Sequence, residues 1–206
     1  TWLIISNEKP SLINKEISPY KIELVIFNCN GNIVKKINHK INIHEKLQMC
    51  LSDYVPLPVN SIDSYYVKLL RSPTKKGFRG STRPHFFYET HNSMSALHTQ
   101  DGSRKNNFIN LPLSNNKDKN MLFIINPSSS PAWIKPKLQT YFKENKEEDI
   151  KIKNFSIPSN GSRVLELDQI ENTNKKYLFE CKSSAKVKCY FIIADKDFKN
   201  VSVDHI

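Results

Sequence analysis

Alanine is scarce in this chain of 206 residues: only Ala96, Ala132, Ala185 and Ala194 are present. The best helix former is therefore nearly missing, while Ile, Tyr, Phe and Thr are plentiful, which argues against a helical protein. Glycine is also rare, at five residues that never cluster as GxGxxG or GxxxxGK, so no phosphate-cradling loop is expected. No apolar run approaches the roughly 20 residues of a bilayer-spanning helix, and the opening Trp2-Leu3-Ile4-Ile5 is too short for the core of a signal peptide. Neither a signal peptide nor a transmembrane segment is expected, and the compartment is left open. The four cysteines, Cys29, Cys50, Cys181 and Cys189, form no CxxC pair and are too few for a disulfide scaffold, so buried free thiols are expected. There is no Gly-x-Ser-x-Gly elbow and no context for an activated thiolate, which weighs against nucleophilic catalysis.

Hydrophobic residues at 38% and charges at 25% suit a globular chain long enough to bury a core. Acid is outnumbered: 31 Lys and Arg against 20 Asp and Glu leave a net charge of +11. Together with 22 asparagines, the lysine excess has a bland source in AT-rich codon usage. Its functional reading is attraction to a polyanion.

The pattern along the chain is of period two, in short runs broken by Asn, Gly, Pro and Ser. Strands are expected at 22–28, 33–37, 41–43, 47–51, 65–69 and 86–88, with Asn30-Gly31 as a tight turn. The second half replays this order at 121–126, 133–142, 155–157, 164–168, 177–179 and 190–193, with a hairpin over 182–186 that would let Cys181 face Cys189. Each half closes on Ser-x-x-His: Ser95 to His98 and Ser202 to His205. The expected fold is all-β: two tandem antiparallel β-sandwiches, immunoglobulin-like or jelly-roll-like, related by an internal repeat. Their expected spans are 1–112 and 119–206, joined by the polar stretch between.

Two segments could carry chemistry. Residues 85–101 hold three of the six histidines, and His85, Glu89, His91, His98 and His205 form a candidate set for Zn, Mn or Fe, since imidazole and carboxylate suit such ions. If the halves are related by a twofold, His98 and His205, with Asp101 and Asp204 beside them, form an interface pair. Strand-end histidines in ordinary hydrogen bonds are the competing reading, and no cofactor is expected. The second segment, 71–83, carries Arg71, Lys75, Lys76, Arg79 and Arg83 with no acid, and has Phe78 within it. Cations of this kind pair with phosphate or sulfate, and aromatics stack on bases or sugars.

The function expected first is non-enzymatic: a binding or assembly module that recognises a protein, glycan or other polyanion through loops. The alternatives are a small metal-binding protein or metal-dependent enzyme using the His/carboxylate cluster, and nucleic-acid binding through the basic loop.

Overall fold

The computed structural model describes residues 1–8, 17–56, 64–73, 84–98, 105–112, 119–140, 150–167 and 177–205. In chain order the strands are β1 (Trp2–Ser6), β2 (Tyr20–Asn28), β3 (Ile33–Ile41), β4 (Lys46–Cys50), β5 (Tyr65–Arg71), β6 (His85–Glu89) and β7 (Met94–His98). The second half continues with β8 (Lys105–Pro112), β9 (Lys119–Ile125), β10 (Ala132–Thr140), β11 (Ile150–Lys151), β12 (Phe155–Ile157), β13 (Ser162–Glu166), β14 (Tyr177–Ala194) and β15 (Val201–His205). Among the described residues the one helical element is a 3₁₀ turn at Leu51–Tyr54. No helix there is long and apolar enough to cross a membrane. The fold is thus nearly all-β, in several antiparallel sheets, as the scarcity of alanine and the alternating runs require.

In the first half one sheet has the order β4-β1-β6-β7 and the other β3-β2-β5. Leu3 and Ile5 of β1, Ile22 and Leu24 of β2, Ile41 and Phe86 fill the space between them. The run Leu24-Val25-Ile26-Phe27 is buried on both faces, which explains why it reads as continuously apolar. Leu24 faces the core of its own half, whereas Val25 and Phe27 face a third cluster shared with Leu97, Ile125, Tyr190 and Val203.

In the second half β14 is one unbroken strand of 18 residues. Residues 177–183 pair with β10 and residues 188–194 with β9, so a single strand passes from one sheet to the other. This corrects the expected hairpin over 182–186. The small polar residues there serve neighbouring backbone instead: Ser184 Oγ accepts from Trp133 N at 2.9 Å, and Ser183 Oγ accepts from Ala185 N at 3.3 Å. Cys181 and Cys189 lie on the same strand, opposite Pro136 and Ile124, and do not face each other. All four cysteines are free, and these two are buried. Pro136 falls between the stretches of β10 that pair β12 and β11, so its missing N–H interrupts neither ladder.

The halves meet along a seam of short polar side chains. Ser93 Oγ accepts from Val201 N at 2.8 Å and donates to Val201 O at 3.4 Å; Ser95 Oγ accepts from Val203 N at 3.0 Å and donates to Val203 O at 3.3 Å. The constant offset means that β7 and β15 run parallel, two edge strands laced through serine hydroxyls. Thr90 Oγ1 adds a hydrogen bond to Lys199 O at 2.6 Å. At the other end two turns interlock. Ser162 N donates to Cys29 O at 3.0 Å, and Gly31, at φ +82°, lies so close that a Cβ there would collide with the Ser159 carbonyl oxygen.

Removing one lacing hydroxyl leaves the backbone groups of Val203 without their partner, at a cost of about 1–3 kcal/mol. Ser95→Ala should lower denaturant-measured stability by that amount. Ser202→Ala, on the exposed side of β15, should stay within about 0.5 kcal/mol.

Candidate functional site

The histidine segment forms a β-hairpin. His85 and His98 are directly opposite each other across β6 and β7, with ring centroids 6.3 Å apart. Glu89 Oε2 accepts from Trp2 Nε1 at 2.8 Å, and His91 is exposed in the turn. His205 pairs with Tyr190 and Asp204 with Phe191 at the end of β15; the His205 side chain and Asp101 lie outside the described residues. Among the described residues no three His, Cys, Asp or Glu side chains come together as a metal ion would require.

Of the basic loop, Lys75, Lys76, Arg79 and Arg83 lie outside the described residues. Arg71 ends β5, with its guanidinium carbon 4.4 Å from the Tyr20 ring centroid. That stacking engages one face of the group.

Two further places were not singled out by sequence reasoning. The first is the outer face of the sheet formed by β10 and the first part of β14. Ala132, Ile134, Pro136 and Leu138 point into the core, so the intervening Trp133, Lys135 and Lys137 point outward by strand geometry. Trp133 is 63% exposed. Lys135 sits directly opposite Lys182, and Lys137 opposite Glu180. With Lys153 these lysines surround a shallow depression of about 620 Å³. Glu180 is the carboxylate among its described lining residues, 2.7 Å from Lys137 Nζ and 3.6 Å from Lys182 Nζ. The hydrogen bond from Lys137, aided by the charge of Lys182, holds the Glu180 carboxyl below its usual range. Like charges directly opposite on a sheet are destabilising, so the Lys135–Lys182 pair is not explained by stability. The alternation of Trp, Lys and Lys along 133–137 carried the signal, but only the register reveals that Lys182 joins them.

The second place is a cleft of about 790 Å³ between the halves. It runs along the whole of β5, with Phe86 and Tyr88 of β6, Phe123 of β9, and Tyr190 and Ile192 of β14 also lining it. Lys68, Arg71 and Lys188 are its charged residues, and no carboxylate is among the described lining residues. Tyr66 stacks on Phe27 at 5.1 Å, and its buried hydroxyl has no hydrogen-bond partner among the described residues. Burial pushes the Tyr66 and Tyr88 phenols up to about 12 and raises Tyr190 as well. All three are neutral donors at physiological pH.

No protein-family model matches the chain, and no curated protein matches it. A crystal structure of Thermotoga maritima 1070 is similar over part of the chain: 18% identity, covering 43% of this chain and 74% of that one, with a TM-score of 0.35.

Two outcomes follow from the buried groups. Burial pushes the Cys181 thiol up to about 12 and holds the Cys189 thiol well above its ordinary value, so both should resist a thiol reagent near pH 8 until the protein unfolds. The half-buried Cys29 and Cys50 should react first; modification of all four at one rate in native protein would contradict this placement. The Glu180 carboxyl is depressed by folding, so its contribution is present above the unfolded value near 4.5 and is lost as pH falls through the lower folded value. The stability gap between wild type and Glu180→Gln should therefore close on acidification, as read from denaturation midpoints across that range.

Proposed function

We propose that this chain is a non-enzymatic binding module made of two β-sandwiches related by internal duplication, and that it takes a polyanion on the face around Trp133. The pairing scheme supports the duplication. β1 pairs β4 and β6, β6 pairs β7, and β2 pairs β3 and β5. In the second half β9 pairs β13 and the end of β14, that end pairs β15, and β10 pairs β12 and the start of β14. On this reading β1 is the counterpart of β9, one strand earlier than the alternating runs alone suggest. Leu3-Ile4-Ile5-Ser6-Asn7 then aligns with Leu122-Phe123-Ile124-Ile125-Asn126. Leu3 and Leu122, Ile5 and Ile124, and Asn7 and Asn126 are all buried. Each asparagine donates from Nδ2 to carbonyls of neighbouring loops: Asn7 to Ser18 and Asn42, and Asn126 to Ser130, Ile157 and Pro158. His98 and His205 also become counterparts, opposite His85 and Tyr190. β8 counts with the second sandwich, so the division falls between β7 and β8, ahead of the stretch 112–119.

The observation that carries the polyanion reading is the set of Lys135, Lys137, Lys153 and Lys182 around the depression that holds Glu180, with the exposed Trp133 on the same face of β10. Ammonium groups release counterions from a charged backbone, and an exposed indole gives a base or sugar ring a surface to stack on. Arg71 and the loop that follows it would extend the basic surface.

The test is binding of a short single-stranded oligonucleotide and of heparin over a range of salt. Replacing Lys135 and Lys182 by Gln should weaken both and reduce the oligonucleotide salt slope by about 1.4, two phosphate contacts at roughly 0.7 each. Trp133→Ala should weaken oligonucleotide binding by about 1–3 kcal/mol if bases stack there. Lys135→Glu removes a like-charge pair, so it should hold or raise stability by up to about 1 kcal/mol while lowering affinity. Unchanged affinity and slope in the double variant would overturn the assignment to this face.

A further inference from the structure

β5 is an edge strand. It pairs with β2 on one side, and among the described residues no strand lies on the other. The cleft between the halves follows that open side from Tyr65 to Arg71, about 23 Å of extended chain. On the duplication reading proposed above, β5 is the counterpart of the first part of β14. There the same side is occupied: β8 lies antiparallel along it, with Leu178 opposite Pro112, Glu180 opposite Ile109, Cys181 opposite Phe108 and Lys182 opposite Asn107. One half thus carries a strand in a position that no described strand of the other half occupies.

We infer that the open edge of β5 accepts an extended peptide from another protein as an added antiparallel strand, one that alternates apolar side chains and carries at least one carboxylate. The inference rests on the duplication reading for the place of the strand, and on the cleft itself for the chemistry. Main-chain hydrogen bonds to an edge give affinity, and pockets for alternate side chains give specificity. Phe86, Tyr88, Tyr190 and Ile192 supply the apolar lining. Lys68, with no acid among the described lining residues, sets the sign of the partner's charge. The buried Tyr66 hydroxyl has no hydrogen-bond partner among the described residues, and an incoming carbonyl or carboxylate would provide one. An exposed edge also invites unwanted pairing, so a long one left open beside an apolar cleft has a use or a cover.

The probe is a fluorescent peptide with the β8 sequence Lys-Asn-Asn-Phe-Ile-Asn-Leu-Pro in which the first residue is replaced (Lys105→Glu). Binding is followed by anisotropy, and amide hydrogen exchange reports its place on the intact chain. Saturable binding with new protection confined to residues 65–71 is expected, as is at least a tenfold loss when alternate peptide amides are N-methylated. Lys68→Glu should weaken the peptide by about tenfold, as a reversed charge at the edge requires. No protection at 65–71 with about 1 mM peptide, or equal binding of the methylated peptide, would overturn the inference. Protection there that rises with protein concentration alone would assign the edge to a second copy and also overturn it. The same exchange data test the parent reading separately. Amides 179–182 protected in the free protein are those of a strand paired on both sides; alternate fast exchange there would remove β8 from β14 and with it the comparison. Protection at 179–182 with 65–71 open in the presence of peptide would sink this inference alone.

Discussion

Two parallel edge strands meet at the seam of this fold without a backbone ladder of the ordinary kind. Ser93 and Ser95 take both the N–H and the C=O of Val201 and Val203 with single hydroxyl groups, which fixes β15 against β7 one residue pair at a time. That register brings Val203 and Leu97 into the same buried cluster as Val25, Phe27, Tyr66 and Tyr190. Once the cluster is closed, β5 of the first half faces β9 and β14 of the second, and the cleft between them has its shape. The interlocked turns at Gly31 and Gly161 leave no room for a side chain at the far end: a Cβ on Gly161 would stand 2.8 Å from Cys29 O. Short residues at one end and absent side chains at the other make the close approach of the halves feasible.

Charge is distributed by the same geometry. Lysines occupy outward positions of β3, β10 and β14, where strands would otherwise present long unguarded surfaces. On β3 this has a simple physical use, since charged side chains on an edge strand discourage association. On β10 and β14 Lys135 faces Lys182 across a ladder, with the exposed Trp133 on the same face of β10, an arrangement that costs stability and suits the proposed anion site. Glu180 prevents the site from being purely repulsive: its carboxylate ties down Lys137 and Lys182, while Lys135 and Lys153 make no ion pair with it.

Much of the architecture was legible in the sequence because burial on one face writes itself as alternation. β2, β3, β5, β9, β10 and β12 stand close to where the alternating runs place them, and the Asn30-Gly31 turn is where the dipeptide puts it. β14 was misread because Ser183, Ser184 and Ala185 look like a turn in isolation. Whether such residues break a strand depends on the partners waiting for their hydroxyls, here Trp133 N and Ala185 N. The role of β1 was hidden for a different reason: five residues at the start of the chain give too short a pattern to weigh, although Leu3, Ile5 and Asn7 are all at most 2% exposed. The candidate surfaces were the least legible part. Lys135 meets Lys182 across a ladder, and β5 shares a cleft with β14, only through approaches between residues about 50 and more than 100 positions apart, and periodicity holds no record of those.

The claim on which the rest stands is that the serine-laced seam, the interlocked turns and the shared apolar cluster bind the halves into one cooperative structure. Differential scanning calorimetry of the intact chain tests this directly. A single transition whose calorimetric and van't Hoff enthalpies agree is the predicted result. Two resolved transitions, each with about half of the total enthalpy, would show that the halves unfold independently and that the seam does not hold them together.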